Sequence, residues 1–243
     1  MTAALVLVAH GTSSPRGRQT VIDLRAQVAT LLPGVRVLDA YVDVQEPRLS
    51  EVVQTLARKG IRTVLVPVLL STGYHMEVDV ARAAEASPLV TATPALGPHP
   101  VLAEILRDRL DEAGAPADAP VVLAAAGSSR PAAADAVREV TAHLRALRRG
   151  PVVAGFAAAQ RPSVSDAIGR AGGSTGAVWV ASYLLGHGFF HDTLAGLGAP
   201  LTEPLGADPR IARLVRDRFL ADMGTPAEWG IPTRPASWLI RSA

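Results

Sequence analysis

Leu7-Val8-Ala9-His10-Gly11-Thr12-Ser13 returns as Leu123-Ala124-Ala125-Ala126-Gly127-Ser128-Ser129, 116 residues further along the chain. Each copy is a short apolar run ending in a small-residue turn, the pattern of a buried strand that meets a loop. Two further segments recur at nearly the same spacing. Residues 41–51 (YVDVQEPRLSE) lie over residues 156–166 (FAAAQRPSVSD), and Gly73-Tyr74-His75 matches Gly188-Phe189-Phe190-His191 with one residue inserted. Three matches in order at nearly one offset point to an internal duplication and therefore to two similar domains.

The rest of the chain fills in around these anchors. Strands are expected at 4–9, 35–41, 61–69 and 89–93, with helices at 16–32, 47–59, from about residue 74, and at 98–112. Pro47 suits the first position of its helix and Gly60 closes it. After a linker at 113–119, strands at 121–125, 151–157 and 176–181 alternate with helices at 131–148, 162–171, 189–196 and 209–222. Near-continuous apolar strands separated by helices specify an α/β fold, each domain a parallel sheet flanked by helices. The expected organisation is an N-terminal domain over 1–115, a degenerate repeat over 120–225, and an irregular tail over 226–243. Trp238-Leu239-Ile240 of the tail is placed to pack back on a domain.

Composition narrows the chemistry. Apolar residues make 49% of the 243, so each domain can bury a core, and aromatics at 4% leave that core to Val, Leu and Ala. With no Cys, disulfides, thiolate metal sites and cysteine nucleophiles are excluded. The net charge of +2 gives no footprint for nucleic acid. Lys59 is the only lysine, and no phosphate-loop glycines stand beside it, so Schiff-base and P-loop chemistry are set aside. No G-x-G-x-x-G follows the first strand, and no organic cofactor is expected. The chain runs into its first strand without a basic leader and has no stretch of 18 apolar residues, so the expectation is a soluble cytoplasmic protein with no membrane partner.

The two halves differ where chemistry would sit. His10 and Glu46 of the first half become Ala126 and Arg161 in the second. His10 ends the first strand, Glu46 follows the second and His75 the third, so all three emerge on the carboxyl edge of a parallel sheet, where open α/β folds bind ligands. A strand order of 2-1-3-4 would put His10 at the centre. Two imidazoles and a carboxylate suit a borderline divalent cation. Each residue also has an ordinary reading: a loop hydrogen bond for His10, a solvated helix entry for Glu46, a surface position for His75. Gly11-Thr12-Ser13-Ser14 offers amides to an anion with Arg16 close behind, Gly73 keeps the approach to His75 clear, and Asp79 shares a helix face with His75. His99 heads a helix on the same edge, and His191 keeps its place without partners, which favours a structural role.

The opening LVLVAHGTSSPRG, the segment YVDVQEP and VPVLLSTGYHMEVDV resemble the CbiX/SirB-type sirohydrochlorin chelatases, class II relatives of protoporphyrin ferrochelatase, in their long two-domain form. The resemblance implies a lyase that inserts Fe2+ or Co2+, the metal being a substrate, into sirohydrochlorin. It assigns metal binding and catalysis to His10, Glu46 and His75. The substrate carries eight carboxylates, so Thr12, Ser13, Arg16, Gly73 and Arg161 are expected to bind it, with Arg supplying charge-assisted hydrogen bonds. Fe2+ is the preferred metal on the ground that siroheme is needed more widely than cobalamin. A tetrapyrrole or metal carrier is the non-enzymatic alternative, and a phosphate-transfer enzyme is disfavoured because Ala9-His10-Gly11 replaces the R-H-G triplet typical of those enzymes. The partner is the small-molecule tetrapyrrole, the protein acting as a monomer or weak homodimer.

Overall fold

The structure, a computed structural model, describes residues 3–71, 74–172 and 177–223; of the residues at 74–77 only the backbone is described. The first half runs β1 (Ala3–Ala9), α1 (Pro15–Leu31), β2 (Arg36–Tyr41), α2 (Leu49–Arg58), β3 (Arg62–Pro67), α3 (Tyr74–Glu85), β4 (Val90–Ala92) and α4 (Pro100–Glu112). The second runs β5 (Val121–Ala125), α5 (Pro131–Ala146), β6 (Val152–Phe156), α6 (Val164–Ala171), β7 (Trp179–Tyr183), α7 (Phe189–Ala195) and α8 (Pro209–Met223). Two separate parallel sheets result, ordered β2-β1-β3-β4 and β6-β5-β7, with a single-residue bridge from Val180 to Leu201 where a strand matching β4 would lie. This is the expected pair of similar α/β domains. The proposed tail at 226–243 lies outside the described residues.

Every residue of β1 is buried. The pleat sends alternate side chains to opposite faces, so Leu5 and Leu7 join one core while Val6 and Val8 join another, the latter under Val53, Leu56 and Val80 of α2 and α3. β5 divides in the same way. This explains why both central strands read as unbroken apolar runs rather than alternating ones.

Two helices cross between the halves. α4, from the first half, packs on α5 and β7, whereas α8, from the second, packs on α1 and β3. One hydrophobic core therefore runs through both halves, joining Leu5 and Leu24 to Leu106, Leu123, Val215 and Phe219. Polar ties follow the same route. Arg210 donates to Asp108 at 2.6 Å, Thr91 to Asp222 at 2.6 Å, Arg109 to the carbonyls of Pro204 and Leu205, and the buried Tyr183 hydroxyl to the carbonyl of Leu70 at 2.8 Å.

Most boundaries fall within two residues of the sequence reading, and the larger or more informative shifts have local causes. Pro47 does not open α2; its carbonyl accepts from Tyr41 N, prolonging the strand to a bridge with Arg48, which caps the helix instead. Pro162 repeats this before α6. β7 begins at Trp179, in register with Val121, after two described residues (177–178) outside the strand; residue 176, the expected start, lies outside the described residues. His99 and Asp208 are equivalent N-caps, each followed by Pro and each accepting from the backbone amide two residues on. His99 is thus a capping residue, and burial holds its imidazole below the usual range.

Phe219 is fully buried in the shared core, so Phe219→Ala should cost about 3–5 kcal/mol and lower a single cooperative transition, read by calorimetry. Burial alone would raise the Asp208 carboxyl, but its hydrogen bonds and charge pairing with Arg210 outweigh this and hold it below the ordinary carboxylate range. A depressed folded pKa contributes stability above the unfolded value, about 4, and loses it as pH falls through the folded one. Asp208→Asn keeps the cap, so urea denaturation should show the variant losing less stability than the parent on acidification below about pH 4.

Candidate metal and substrate site

His10 follows the last residue of β1, and its carbonyl accepts from Asp43 N at 2.9 Å, which locks its loop to the one after β2. Gly11 has φ +100°, and a Cβ there would run into the Asp43 carbonyl oxygen. Thr12 N donates to Gln45 Oε1 at 2.7 Å, Ser14 N to Thr12 Oγ1, and Gly17 N to Ser14 Oγ, the N-cap of α1. These amides are therefore satisfied within the loop, and Ser13 is left exposed.

The second half rebuilds most of this frame, without the side-chain cap that Ser14 gives α1, since Arg130 holds that place before α5 and makes no such bond. Ala158 N donates to the Ala126 carbonyl, Gly127 has φ +90° under the Ala158 carbonyl, and Ser128 N faces Gln160 Oε1 at 3.4 Å. Val44 and Ala159, the residues just before the two glutamines, both sit at positive φ. Gln45 and Gln160 are supporting residues that the sequence reading passed over, although both stand in its aligned segments. The backbone is duplicated while the side chains at His10/Ala126 and Glu46/Arg161 are not.

His10 and Glu46 are exposed on adjoining loops. Glu46 accepts from Arg48 Nε and Arg48 N, both at 2.9 Å, and Arg48 also reaches Asp43 at 3.6 Å. A carboxylate has about four acceptor positions, so this pairing orients Glu46 and leaves acceptor capacity for a cation. His75 is the second residue of α3 on the same sheet edge; its side chain and Gly73 lie outside the described residues. Among the described residues no three His, Asp or Glu side chains are gathered to hold a metal. Arg161 occupies the place of Glu46, mostly exposed and 3.3 Å from Asp166. Arg16 is also exposed and pairs with Glu203 of the second half at 3.2 Å.

His191 is buried against Ser182 Oγ at 3.1 Å and edge-on to His187, with burial and the neighbouring His187 holding its imidazole below the usual range. Its role is structural, as read from its isolation in the sequence. His187 and Glu203 were not anticipated, because neither falls in an aligned motif.

The CbiX family profile matches residues 4–113 and 120–221, both halves and little else. The chain belongs to the CbiX family. The match covers the frame just described in each copy. A sirohydrochlorin cobaltochelatase of Methanopyrus kandleri is 29% identical over 138 residues, spanning 45% of this chain but 96% of that protein. One of Sulfolobus acidocaldarius is 25% identical over 114 residues, spanning 45% of this chain and 90% of that protein. A complete relative thus corresponds to about half of this CbiX chain. The structure of SirB from Bacillus subtilis with Fe3+ superposes with a TM-score of 0.76 at 20% identity, covering 96% of this chain and all of that one, and shows the same fold. No helix among the described residues is long and apolar enough to cross a membrane.

Gly11→Ala should disorder the His10 loop and lower the melting temperature sharply, because the Asp43 carbonyl cannot yield without breaking the loop pairing. Gly60→Ala is the control: φ is +63° with nothing within 4 Å, so it should cost only about 1–2 kcal/mol.

Proposed function

We propose that this CbiX protein is a sirohydrochlorin chelatase, an enzyme that exchanges two pyrrole N–H protons for a divalent metal ion. Family membership across both halves carries this reading, together with the two relatives whose names state that activity. His10 is the main proton acceptor and a metal ligand, with Glu46 and His75 completing the set. Their positions on one sheet edge support this, as does the replacement of His10 and Glu46 by Ala126 and Arg161 in the repeat. Thr12, Ser13, Arg16, Gly73 and Arg161 are proposed to face the substrate, the two arginines meeting its carboxylates from opposite halves.

Chemically, a metallation site must take up protons near neutral pH and offer the cation without trapping it. Imidazole meets the first need, and a mixed nitrogen–oxygen set of few ligands meets the second. Arg48 contributes by holding Glu46 in one orientation, so that little side-chain freedom remains to be lost when the cation arrives.

For the metal we favour Co2+. Both curated relatives are cobaltochelatases, whereas the sequence-based preference for Fe2+ rested on how widely siroheme is used and on no residue of this chain. A histidine–carboxylate set accepts either ion, with Co2+ bound more tightly.

Anaerobic metallation of sirohydrochlorin, with Co2+ and Fe2+ supplied separately and in competition at buffered free concentrations, tests both levels. Faster insertion of Co2+ supports the assignment, and preferential Fe2+ insertion reverses it. Binding of sirohydrochlorin with no acceleration by either ion would leave a carrier. His10→Ala should fold normally and reduce metallation roughly 10²-fold.

A further inference from the structure

Beside the His10 loop the second half presents a carboxylate-binding arrangement that the chain has filled with one of its own side chains. The segment between β7 and α7 rests on the start of α1. A Cβ on Gly17 would strike the carbonyl of His187, Gly186 faces Thr20 and Gly188 faces Thr12 Oγ1. Thr12 is two residues from His10, so its Cα lies within about 7 Å of that of His10. At this junction His187 Nε2 donates to Glu203 Oε2 at 2.7 Å, and Arg16 NH2, from the other half, donates to the same oxygen at 3.2 Å.

The imidazole donor and its acceptor are held very differently. The His187 side chain is only 12% exposed and its ring is fixed edge-on against His191, centroids 4.6 Å apart, which Ser182 in turn holds. Glu203 is 62% exposed and Arg16 68%. A largely covered, braced imidazole facing a solvated carboxylate is a preorganised donor whose present acceptor can swing away, and exposed ion pairs contribute little to stability. Two residues beyond His187, Phe189 is 77% exposed, more than any other large hydrophobic side chain described. It packs edge-on to Phe190 with centroids 5.4 Å apart, leaving most of its surface to solvent. A ligand that satisfies both features carries peripheral carboxylates on a flat apolar body.

We infer that His187 and Arg16 form a subsite for a peripheral carboxylate of the tetrapyrrole, that Phe189 covers the adjoining ring, and that Glu203 occupies the subsite until substrate displaces it. This rests on the chelatase reading and adds to it a role for the second half: that half supplies no proton acceptor but grips the rim of the substrate.

The test measures KM and kcat for sirohydrochlorin metallation, the affinity for uroporphyrin (a ring bearing eight carboxylates) and for its octamethyl ester by fluorescence quenching, and the melting temperature. Glu203→Ala and Glu203→Gln should both lower KM and tighten uroporphyrin binding, because the internal competitor is gone. His187→Ala should raise KM about tenfold, the scale of a lost charge-assisted hydrogen bond, with kcat within twofold. Phe189→Ser should weaken uroporphyrin and its ester alike, whereas His187→Ala should affect only the free acid. A Glu203→Ala protein with raised KM or a markedly lower melting temperature would make the contact a structural latch and overturn the subsite. So would parent protein that metallates sirohydrochlorin but is indifferent to all of these substitutions, with the chelatase reading intact. Parent protein that binds uroporphyrin with the predicted pattern yet does not metallate sirohydrochlorin would overturn that reading and leave the subsite.

Discussion

Helix α8 leaves the sheet that precedes it and buries Val215 and Phe219 against α1 and β3 of the other half, while α4 makes the opposite journey to α5 and β7. Everything else depends on this exchange. Each sheet needs an apolar cover on both faces, and on the inner face each obtains part of that cover from the other half. Neither half can therefore separate without exposing a continuous core to water. The polar ties at Asp108–Arg210, Thr91–Asp222 and Tyr183–Leu70 add direction to a contact whose driving force is apolar burial.

That constraint bears on function. On the proposed function, a flat macrocycle held between the two carboxyl edges would need walls at a fixed separation, and a shared core supplies rigidity that a flexible linker would not. The linker is itself tied down, with Arg148 donating to the Pro116 carbonyl and Gly150 N to that of Ala117. The curated relatives match 45% of this chain while being matched almost whole, so about half of this chain has no counterpart within those proteins' own chains. With its backbone frame secured by Gly127, Gln160 and Pro162, the second half carries Ala126 and Arg161 where the first has His10 and Glu46.

The paired frames also show how a backbone is conserved independently of chemistry. A glycine under a carbonyl oxygen, a glutamine accepting from a loop amide, and a proline carbonyl extending the strand recur in both halves. These are local geometric demands with few residue solutions. Histidine at position 10 answers no such demand, since alanine fills the same place in the repeat without disturbing a bond of the frame.

The sequence by itself determined the two-domain α/β fold and most element boundaries to within a residue or two, because apolar periodicity and turn residues are local signals and the duplication states them twice; the order 2-1-3-4 was one it allowed for the first sheet and the structure adopts. It also singled out His10 and Glu46 through the contrast between the two copies of one motif, and His75, whose counterpart His191 is kept, through its place after the third strand on the same sheet edge. It misplaced the start of α2, because a proline carbonyl accepting a hydrogen bond from Tyr41 cannot be seen in a string that favours proline as a helix opener. Only the tertiary structure decided that α4 and α8 change partners, since an amphipathic helix records which face is buried but not which sheet buries it. Only it brought Arg16, His187 and Glu203 together, for contacts across the full length of the chain depend on how the two halves are docked, and no spacing within either half encodes that.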